Sequence, residues 1–268
     1  MARAASARPA RPQVVLTVLR TESISPHMMR VILGGEGFTQ FHGNEFSDKY
    51  VKLLFADPAH GLVPPYDLKA LRAQRPQALP VSRTYTVRWV DPEASELALD
   101  FVVHGADGVA GPWAARVRPG AQVVFSGPGG GYRPDAEASW HLLAGDLSAL
   151  PAIAAGLEAM PSDAVGQVFL DVPDPRDRLE LERPEGVQLT WVSGGANPLL
   201  DAVRAMNWPD GRVQAFVHGE RGAIKDLRRH LTDDRGIARD QLSISAYWAA
   251  GRAEDQFQAE KREPVGQI

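Results

Sequence analysis

The amino-acid sequence predicts a β-barrel followed by an α/β domain built on a parallel sheet. The first half consists of short apolar runs, rich in β-branched and aromatic residues and separated by turn residues. The second half alternates such runs with segments of helical periodicity. The pattern changes within residues 133–139. We therefore expect a barrel domain in residues 12–135 and an α/β domain in residues 138–268.

The predicted barrel is antiparallel and has six strands. The strands cover residues 13–20, 27–35, 48–57, 81–90, 96–105 and 121–132. The segment between the third and fourth strands is rich in proline and glycine, which predicts a surface insertion beside a site. Short strands with regular turn signals are typical of a closed or nearly closed barrel.

The predicted α/β domain alternates five strands with three helices. Its strands cover residues 140–146, 166–172, 187–195, 212–220 and 241–248, and its helices cover residues 148–160, 197–206 and 221–231. Ser148 and Asn197 are the expected N-caps of the first two helices, and Pro198 takes the first helical position. This alternation predicts a parallel sheet covered by helices.

The composition excludes several classes of function. The absence of cysteine excludes disulfides, thiolate zinc sites, cysteine-ligated iron–sulfur clusters and a cysteine nucleophile. A net charge of −4 argues against general nucleic-acid affinity. The seven histidines lack metal-ligand spacing, so no metal site is expected.

The first residues are basic and small, and no apolar segment follows them. A secretory signal is not expected, and no apolar run reaches the roughly 18 residues of a membrane span. We expect a cytoplasmic monomer, with residues 1–11 as a disordered tail.

The fourth predicted strand carries the first candidate binding motif, Arg83-Thr84-Tyr85-Thr86. Strand alternation places Arg83 and Tyr85 on one face and both threonines on the other. A flavin requires an aromatic plane against its ring, hydroxyl donors at its polar edge and a cation for its pyrophosphate. Taken alone, the tetrapeptide fits an exposed arginine beside a half-buried tyrosine better than it fits a flavin site.

A glycine-rich turn follows this motif by about twenty residues, from His104 to Ala114. Glycine allows backbone amides to approach a ligand closely, and the start of a helix favours an anion. A lone turn of this kind fits an ordinary strand-to-helix connection. After the R-x-Y-T motif, a pyrophosphate over residues 108–114 is the preferred interpretation.

The chain resembles the siderophore-interacting protein family, the FAD-binding ferric-siderophore reductases, from about residue 14 to residue 263. The matching segments, in the order of the family, are KYVKLLFAD, SRTYTVRW, LDFVVHG…GVAGPWAARVRPG, FSGPGGGY, LLAGDLSALPAIAAGLEAMP and SAYWAAGRAE. The resemblance implies a ferredoxin-reductase-like architecture. FAD is expected in the barrel, NADPH or NADH over the second domain, and a ferric siderophore near the flavin.

The resemblance also implies which residues bind the cofactors. In the barrel these are the R-x-Y-T strand, the end of the fifth strand and the glycine-rich turn, namely Arg83, Thr84, Tyr85, Thr86, Asp100, Val102, His104, Gly108, Ala110, Gly111 and Trp113. In the second domain they are Asp146 and Ser148, at the strand end where nucleotides dock on parallel sheets. A purely structural turn is an equal alternative for Asp146 and Ser148.

The chain departs from the family in two places. The pyrophosphate turn has Val109-Ala110-Gly111 where the family often has Pro-Ala-Ser, which removes one hydroxyl. The second-domain loop has Leu147 where the family usually has an acid. Both changes weaken the expected contacts without removing the sites.

Four cations are candidate ligands for anionic partners. Lys52 and Arg252 are candidates for attracting an anionic ferric siderophore, with an ordinary surface role as the alternative. Arg176 and Arg178 follow a strand, as ligands of the NADPH 2′-phosphate do. A solvated loop is the preferred interpretation of these two, so the choice between NADH and NADPH stays open.

The leading hypothesis is an FAD-dependent ferric-siderophore reductase that needs no catalytic acid or base from the protein. One alternative is a general flavin or quinone reductase on the same scaffold. The other is a siderophore- or flavin-binding protein with little turnover.

Overall fold

The computed structural model of this chain describes residues 12–105, 108–261 and 263–268. Within these ranges the chain forms a closed barrel of six antiparallel strands and a sheet of five parallel strands flanked by helices. The predicted fold class is confirmed. The predicted tail, residues 1–11, lies outside the described residues.

The barrel strands are ordered β1-β2-β5-β4-β3-β6, and β1 closes the barrel by pairing with β6. Their bounds are β1 Gln13–Ser25, β2 Met28–Gly34, β3 Tyr50–Phe55, β4 Val81–Asp91, β5 Glu96–Val102 and β6 Gln122–Gly129. The barrel interior is an apolar core that includes Leu16, Val51, Leu99 and Phe125. Strand β1 is longer than expected because its polar second half pairs with β2 through two register shifts.

Two short helices interrupt the barrel strands. Helix α1, Leu68–Gln74, lies in the insertion between β3 and β4 and begins at Asp67, whose carboxylate accepts a hydrogen bond from the amide of Ala70 at 2.9 Å. Helix α2, Ala110–Ala114, follows β5. Helix α1 was not predicted, because a single buried side chain, Leu71, gives no readable periodicity.

The five parallel strands are ordered β11-β10-β7-β8-β9. Their bounds are β7 Trp140–Asp146, β8 Gly166–Asp171, β9 Val187–Val192, β10 Val213–Glu220 and β11 Leu242–Trp248. The chain starts at the central strand β7, proceeds outward to β9, and then continues on the other side of β7 with β10. The crevice where nucleotides bind such sheets lies at this reversal, outside the carboxyl ends of β7 and β10.

Helices cover both faces of the parallel sheet. Their bounds are α3 Leu150–Glu158, α4 Pro198–Ala205, α5 Arg221–Arg229 and, after the last strand, α6 Glu254–Glu260. The core on the α3 side also contains Met28 of the barrel, so the two halves share apolar packing. None of the helices in the described residues has both the length and the apolar character of a membrane span.

The two predicted N-caps differ in outcome. The Asn197 side chain accepts a hydrogen bond from the Leu200 amide at 3.1 Å, and Pro198 is the first residue of α4, as expected. The prediction for Ser148 was wrong, because α3 begins after Ala149. The Ser148 hydroxyl instead donates to Asp146, which draws it away from the helix.

Candidate functional site

The two faces of β4 separate the four residues of the R-x-Y-T motif as predicted. Opposite Arg83 and Tyr85 on β3 are Leu53 and Val51, whose side chains are buried in the barrel core. Opposite Thr84 and Thr86 are the exposed Lys52 and the half-buried Tyr50. Because directly paired residues share a face, the threonines and Lys52 lie on the outside of the barrel.

Tyr85 is held by other aromatic side chains. Its ring centroid lies 4.2 Å from that of Phe101 on β5, and Phe101 lies 5.5 Å from Trp113 of α2. Burial, and after it the charge of Glu254, raises the pKa of the Tyr85 hydroxyl. The hydroxyl therefore stays protonated at neutral pH and remains able to donate a hydrogen bond.

The guanidinium of Arg83 is bonded to the C-terminal helix α6. Its Nη1 lies 2.7 Å from Oδ1 of Asp255 and 2.9 Å from the carbonyl oxygen of Ser82, and its Nη2 lies 3.3 Å from Oδ2 of Asp255. The Arg83 side chain is 12% exposed, whereas that of Asp255 is 72% exposed. Asp255 is a partner of Arg83 that the sequence did not reveal, because α6 was not predicted.

Asp100 lies on β5, directly opposite Arg30 of β2, and the buried Asp100 forms an ion pair with the half-buried Arg30. Nε of Arg30 lies 2.7 Å from Oδ1, and Nη2 lies 2.8 Å from Oδ2. Both carboxylate oxygens are therefore already bonded. Val102, at the end of the same strand, is half-buried, and His104 beyond it is exposed.

The glycine-rich turn folds tightly against the end of β5. A Cβ atom at Gly111 would lie 3.0 Å from the carbonyl oxygen of Val102, so glycine permits this close approach. Gly108 is exposed, with a left-handed φ of 84°, and Ala110 is buried. Trp113 packs edge-on against Phe55 with ring centroids 5.4 Å apart. Residues 106 and 107 lie outside the described residues.

Asp146 joins the carboxyl ends of three parallel strands. Its Oδ1 accepts hydrogen bonds from the amide of Ser148 at 2.9 Å and from the Ser148 hydroxyl at 2.5 Å. Its Oδ2 accepts from the amide of Glu220, on β10, at 2.9 Å and from Nε1 of Trp248, on β11, at 2.8 Å. Burial raises the pKa of Asp146, and these four donors oppose that effect. A purely structural turn, the alternative to nucleotide binding for Asp146 and Ser148, accounts for all four of these hydrogen bonds.

The last strand of the sheet faces the barrel through Tyr247. Its ring centroid lies 4.9 Å from that of His218 on β10. Burial raises the pKa of Tyr247, and the charges of Asp48 and Asp146 raise it further, with a smaller contribution from Tyr50. The ring of His218 lies 4.0 Å from that of Phe216, and Phe216 lies 4.7 Å from Tyr132, so a series of aromatic contacts connects Tyr247 to the end of the barrel half. Trp248, next along the strand, is 42% exposed.

The two candidate substrate cations differ in their surroundings. Lys52 is exposed on the outer face of β3. Arg252 donates through Nε to Glu260 of α6 at 2.9 Å, and the same carboxylate accepts from Arg221 at 2.6 Å. Helix α6 thus contacts Arg83 through Asp255 and Arg252 through Glu260.

One group of side chains brings a histidine together with two carboxylates. His27, Asp174 and Asp177 present ligand atoms within 4.8 Å of one another. His27 Nδ1 lies 2.7 Å from Oδ2 of Asp177, and Ser25 donates to Oδ1 of Asp177 at 2.6 Å. The cluster links the turn between β1 and β2 to the segment after β8.

Two family models together match most of the chain. The siderophore-interacting FAD-binding domain model matches residues 17–132, and the siderophore-interacting protein model matches residues 138–251. Ferric vibriobactin reductase ViuB of Vibrio cholerae is 35% identical in an alignment 253 residues long that covers 92% of this chain and 93% of that protein.

Solved structures share the same fold. The crystal structure of the siderophore-interacting protein SipS from Aeromonas hydrophila has a TM-score of 0.81 and 31% identity, covering 95% of this chain and 98% of that one. The ferredoxin reductase in carbazole 1,9a-dioxygenase has a TM-score of 0.63 at 16% identity, covering 88% of this chain and 69% of that one, and shares the fold alone. Family models match both halves, and relatives above 30% identity cover nearly the whole chain, so the chain belongs to the siderophore-interacting protein family.

Proposed function

We propose that this chain is an FAD-dependent reductase that passes electrons from NADH or NADPH to a ferric siderophore. The observation that carries the proposal is the position of Tyr247. It lies at the carboxyl edge of the parallel sheet, and the adjacent rings of His218 and Phe216 connect it to Tyr132 of the barrel half, whose amide donates to Asp48 at 2.8 Å. A dinucleotide on the sheet edge and a flavin on the barrel strands would therefore meet in one cleft.

The barrel half, residues 12–135, has groups that fit FAD. Thr84 and Lys52 are exposed side by side on the outer face, and the exposed backbone at Gly108 leads into the tight turn at Gly111. Arg83 supplies a cation for a phosphate, provided that Asp255 releases it. Bound FAD would supply the exchange between a two-electron hydride donor and a one-electron acceptor such as Fe(III).

Asp100 and Val102 contribute to this site indirectly in our proposal. The Asp100 carboxylate is bonded to Arg30, so it holds β2 and β5 together at the place where the cofactor would lie. Val102 offers its half-buried side chain and the strand end on which the turn at Gly111 rests. The exposed His104 and the packed Trp113 border the turn.

The second half, residues 138–268, would position the nicotinamide nucleotide. Asp146 acts there as a positioning residue, because its four hydrogen bonds hold the ends of β7, β10 and β11 in one arrangement. The nucleotide would then rest on a preorganised sheet edge rather than on the carboxylate itself.

A ferric siderophore would approach the same cleft from the side of Lys52. Ferric siderophores are often anionic, and Lys52 is an exposed cation on the strand next to the R-x-Y-T motif. Arg252 would take part only after leaving Glu260. Family membership and the name of the Vibrio cholerae relative support a siderophore as the acceptor.

The proposal is tested with purified protein loaded with FAD. We expect a flavin absorbance spectrum, anaerobic bleaching by a nicotinamide nucleotide, and formation of Fe(II) from a ferric siderophore in the presence of a ferrous chelator. Protein that cannot be loaded with FAD would contradict the proposal. Loaded protein that neither nucleotide bleaches would favour a binding protein, and equal efficiency with quinones would favour a general flavin reductase.

A further inference from the structure

The carboxyl end of β8 carries an acidic residue beside the nucleotide crevice. Asp171 is the last residue of β8 and is paired in register with Asp146, the last residue of β7. Asp171 is half-buried. Because side chains alternate between the two faces of a sheet, residues paired in register share a face, so the two carboxyl groups lie on the same side of the sheet. This part of the sheet edge is therefore acidic.

The direction in which a dinucleotide would lie follows from the position of the barrel. Tyr247, on β11, lies at the end of the sheet edge from which adjacent rings, those of His218 and Phe216, lead to Tyr132 beyond the barrel strand β6. The nicotinamide must be at that end to reach a flavin on the barrel. The adenosine then extends in the opposite direction, past β7 and toward β8, where the ribose of a dinucleotide meets the end of the second strand.

The first arginine after β8 is paired with a carboxylate of its own segment. Arg176 is bound to Asp174, with Nε 3.0 Å from Oδ1 and Nη2 2.5 Å from Oδ2. The hydrogen bond from Arg176 lowers the pKa of Asp174 to about 2, so the pair stays ionised and its charges cancel. Arg178 is exposed beyond Asp177, whose carboxylate is bonded to Ser25 and His27.

We propose that this protein uses NADH rather than NADPH, and that Asp171 is the residue that selects it. The Asp171 carboxylate would accept a hydrogen bond from the 2′-hydroxyl of the adenosine ribose. The 2′-phosphate of NADPH would meet the same carboxylate and be repelled. This inference rests on the proposed function, in that a nicotinamide nucleotide must bind the sheet edge.

The test compares nucleotide binding with flavin reduction. The affinities of the FAD-loaded protein for NAD⁺ and NADP⁺ are measured by titration calorimetry, and the rates of anaerobic bleaching by NADH and NADPH are measured in parallel. We expect NAD⁺ to bind at least about ten times more tightly, the factor that one hydrogen bond to a charged group provides.

Two substitutions test which residues cause the preference for NAD⁺ over NADP⁺. Asp171→Asn should weaken NAD⁺ binding and reduce the preference to near equality, because the amide no longer repels a phosphate. Asp174→Asn should strengthen NADP⁺ binding by releasing Arg176. Glu182→Gln is the matched control, because it removes one exposed carboxylate of the same segment, and it should leave the preference unchanged.

The outcomes separate this inference from the proposed function. Tighter binding of NADP⁺ by the unmodified protein, or an unchanged preference in a folded Asp171→Asn variant, would overturn the selection by Asp171. Bleaching by NADPH alone would overturn it as well and leave the reductase intact. Absence of binding and of bleaching with both nucleotides would instead overturn the proposed function.

Discussion

Asp255 of the C-terminal helix α6 binds Arg83 of β4 through both carboxylate oxygens, with the shorter contact, Nη1 to Oδ1, at 2.7 Å. The two residues are 172 positions apart in the chain. A phosphate that binds the Nη1/Nη2 edge of Arg83 meets the same N–H groups, because both anions approach them in the plane of the guanidinium. Helix α6 and the diphosphate of FAD are therefore expected to compete for Arg83.

Replacing Asp255 should strengthen FAD binding. Asp255→Asn removes the competing charge, and since the carboxylate is 72% exposed, the lost pair is worth about 1 kcal/mol or less. We expect the Kd for FAD, measured by fluorescence quenching of the flavin, to fall by a factor of about two to five. Glu263→Gln removes an exposed carboxylate beyond α6 and serves as the control. Weaker FAD binding in Asp255→Asn would show that Asp255 supports the site.

The ion pair between Arg30 and Asp100 should contribute to stability rather than contact FAD directly. Asp100→Asn leaves the Arg30 charge without its partner in a largely buried position, which should lower the free energy of unfolding by about 3 kcal/mol. Chemical denaturation of the protein without FAD measures this loss. The double variant Arg30→Met/Asp100→Leu should recover most of it. If Asp100→Asn kept full stability but lost FAD affinity, direct contact with the cofactor would be the better account.

Asp146 should hold Trp248 at the sheet edge. Asp146→Asn replaces one of the two accepting oxygens by an NH₂ donor. If Oδ2 is replaced, the Glu220 amide and Trp248 Nε1 lose their acceptor, and if Oδ1 is replaced, the amide and hydroxyl of Ser148 lose theirs. We expect a red-shifted tryptophan emission and weaker nucleotide binding, with the Kd for FAD unchanged. Trp248→Phe identifies the emission that belongs to this residue. An unchanged spectrum and unchanged nucleotide affinity would contradict the positioning role.

His218 should make the protein sensitive to acid. Burial lowers its pKa from 6.5 to about 3, so it is neutral in the folded chain. Below pH 6.5 the unfolded chain binds a proton that the folded chain does not. The stability that the neutral His218 contributes is therefore fully present above pH 6.5. As the pH falls from 6.5 toward 3, the free energy of unfolding decreases by about 1.4 kcal/mol per pH unit.

The variant His218→Gln should remove this part of the pH dependence. Its amide can keep the contact that His218 Nε2 makes with the hydroxyl of Ser243 at 3.0 Å. Denaturant titrations at pH 7, 5.5 and 4.5 compare the free energy of unfolding of both proteins, with His42→Gln at an exposed histidine as control. Parallel pH profiles for His218→Gln and the unmodified chain would show that His218 does not cause the loss.

The regular parts of the fold were predictable because their residues are buried in a repeating pattern. Alternation along β4 predicted the faces of Arg83, Thr84, Tyr85 and Thr86, and the pairing with β3 confirms it. The N-cap of α4 at Asn197 was also predictable, because a capping side chain and the proline after it lie next to each other in the sequence. Helix α6 was missed because it follows the last strand and buries only Phe257.

The sequence by itself determined the barrel, the parallel sheet and the strands that carry the candidate binding residues, since periodic burial and turn residues are local properties of a chain. Only the tertiary structure decided which partners those residues have. Asp100 is bonded to Arg30, Arg83 to Asp255, and Asp146 to Glu220 and Trp248. These contacts join segments that are distant in the chain. Their charges and donors meet only when the strands and helices pack, so no local pattern could reveal them.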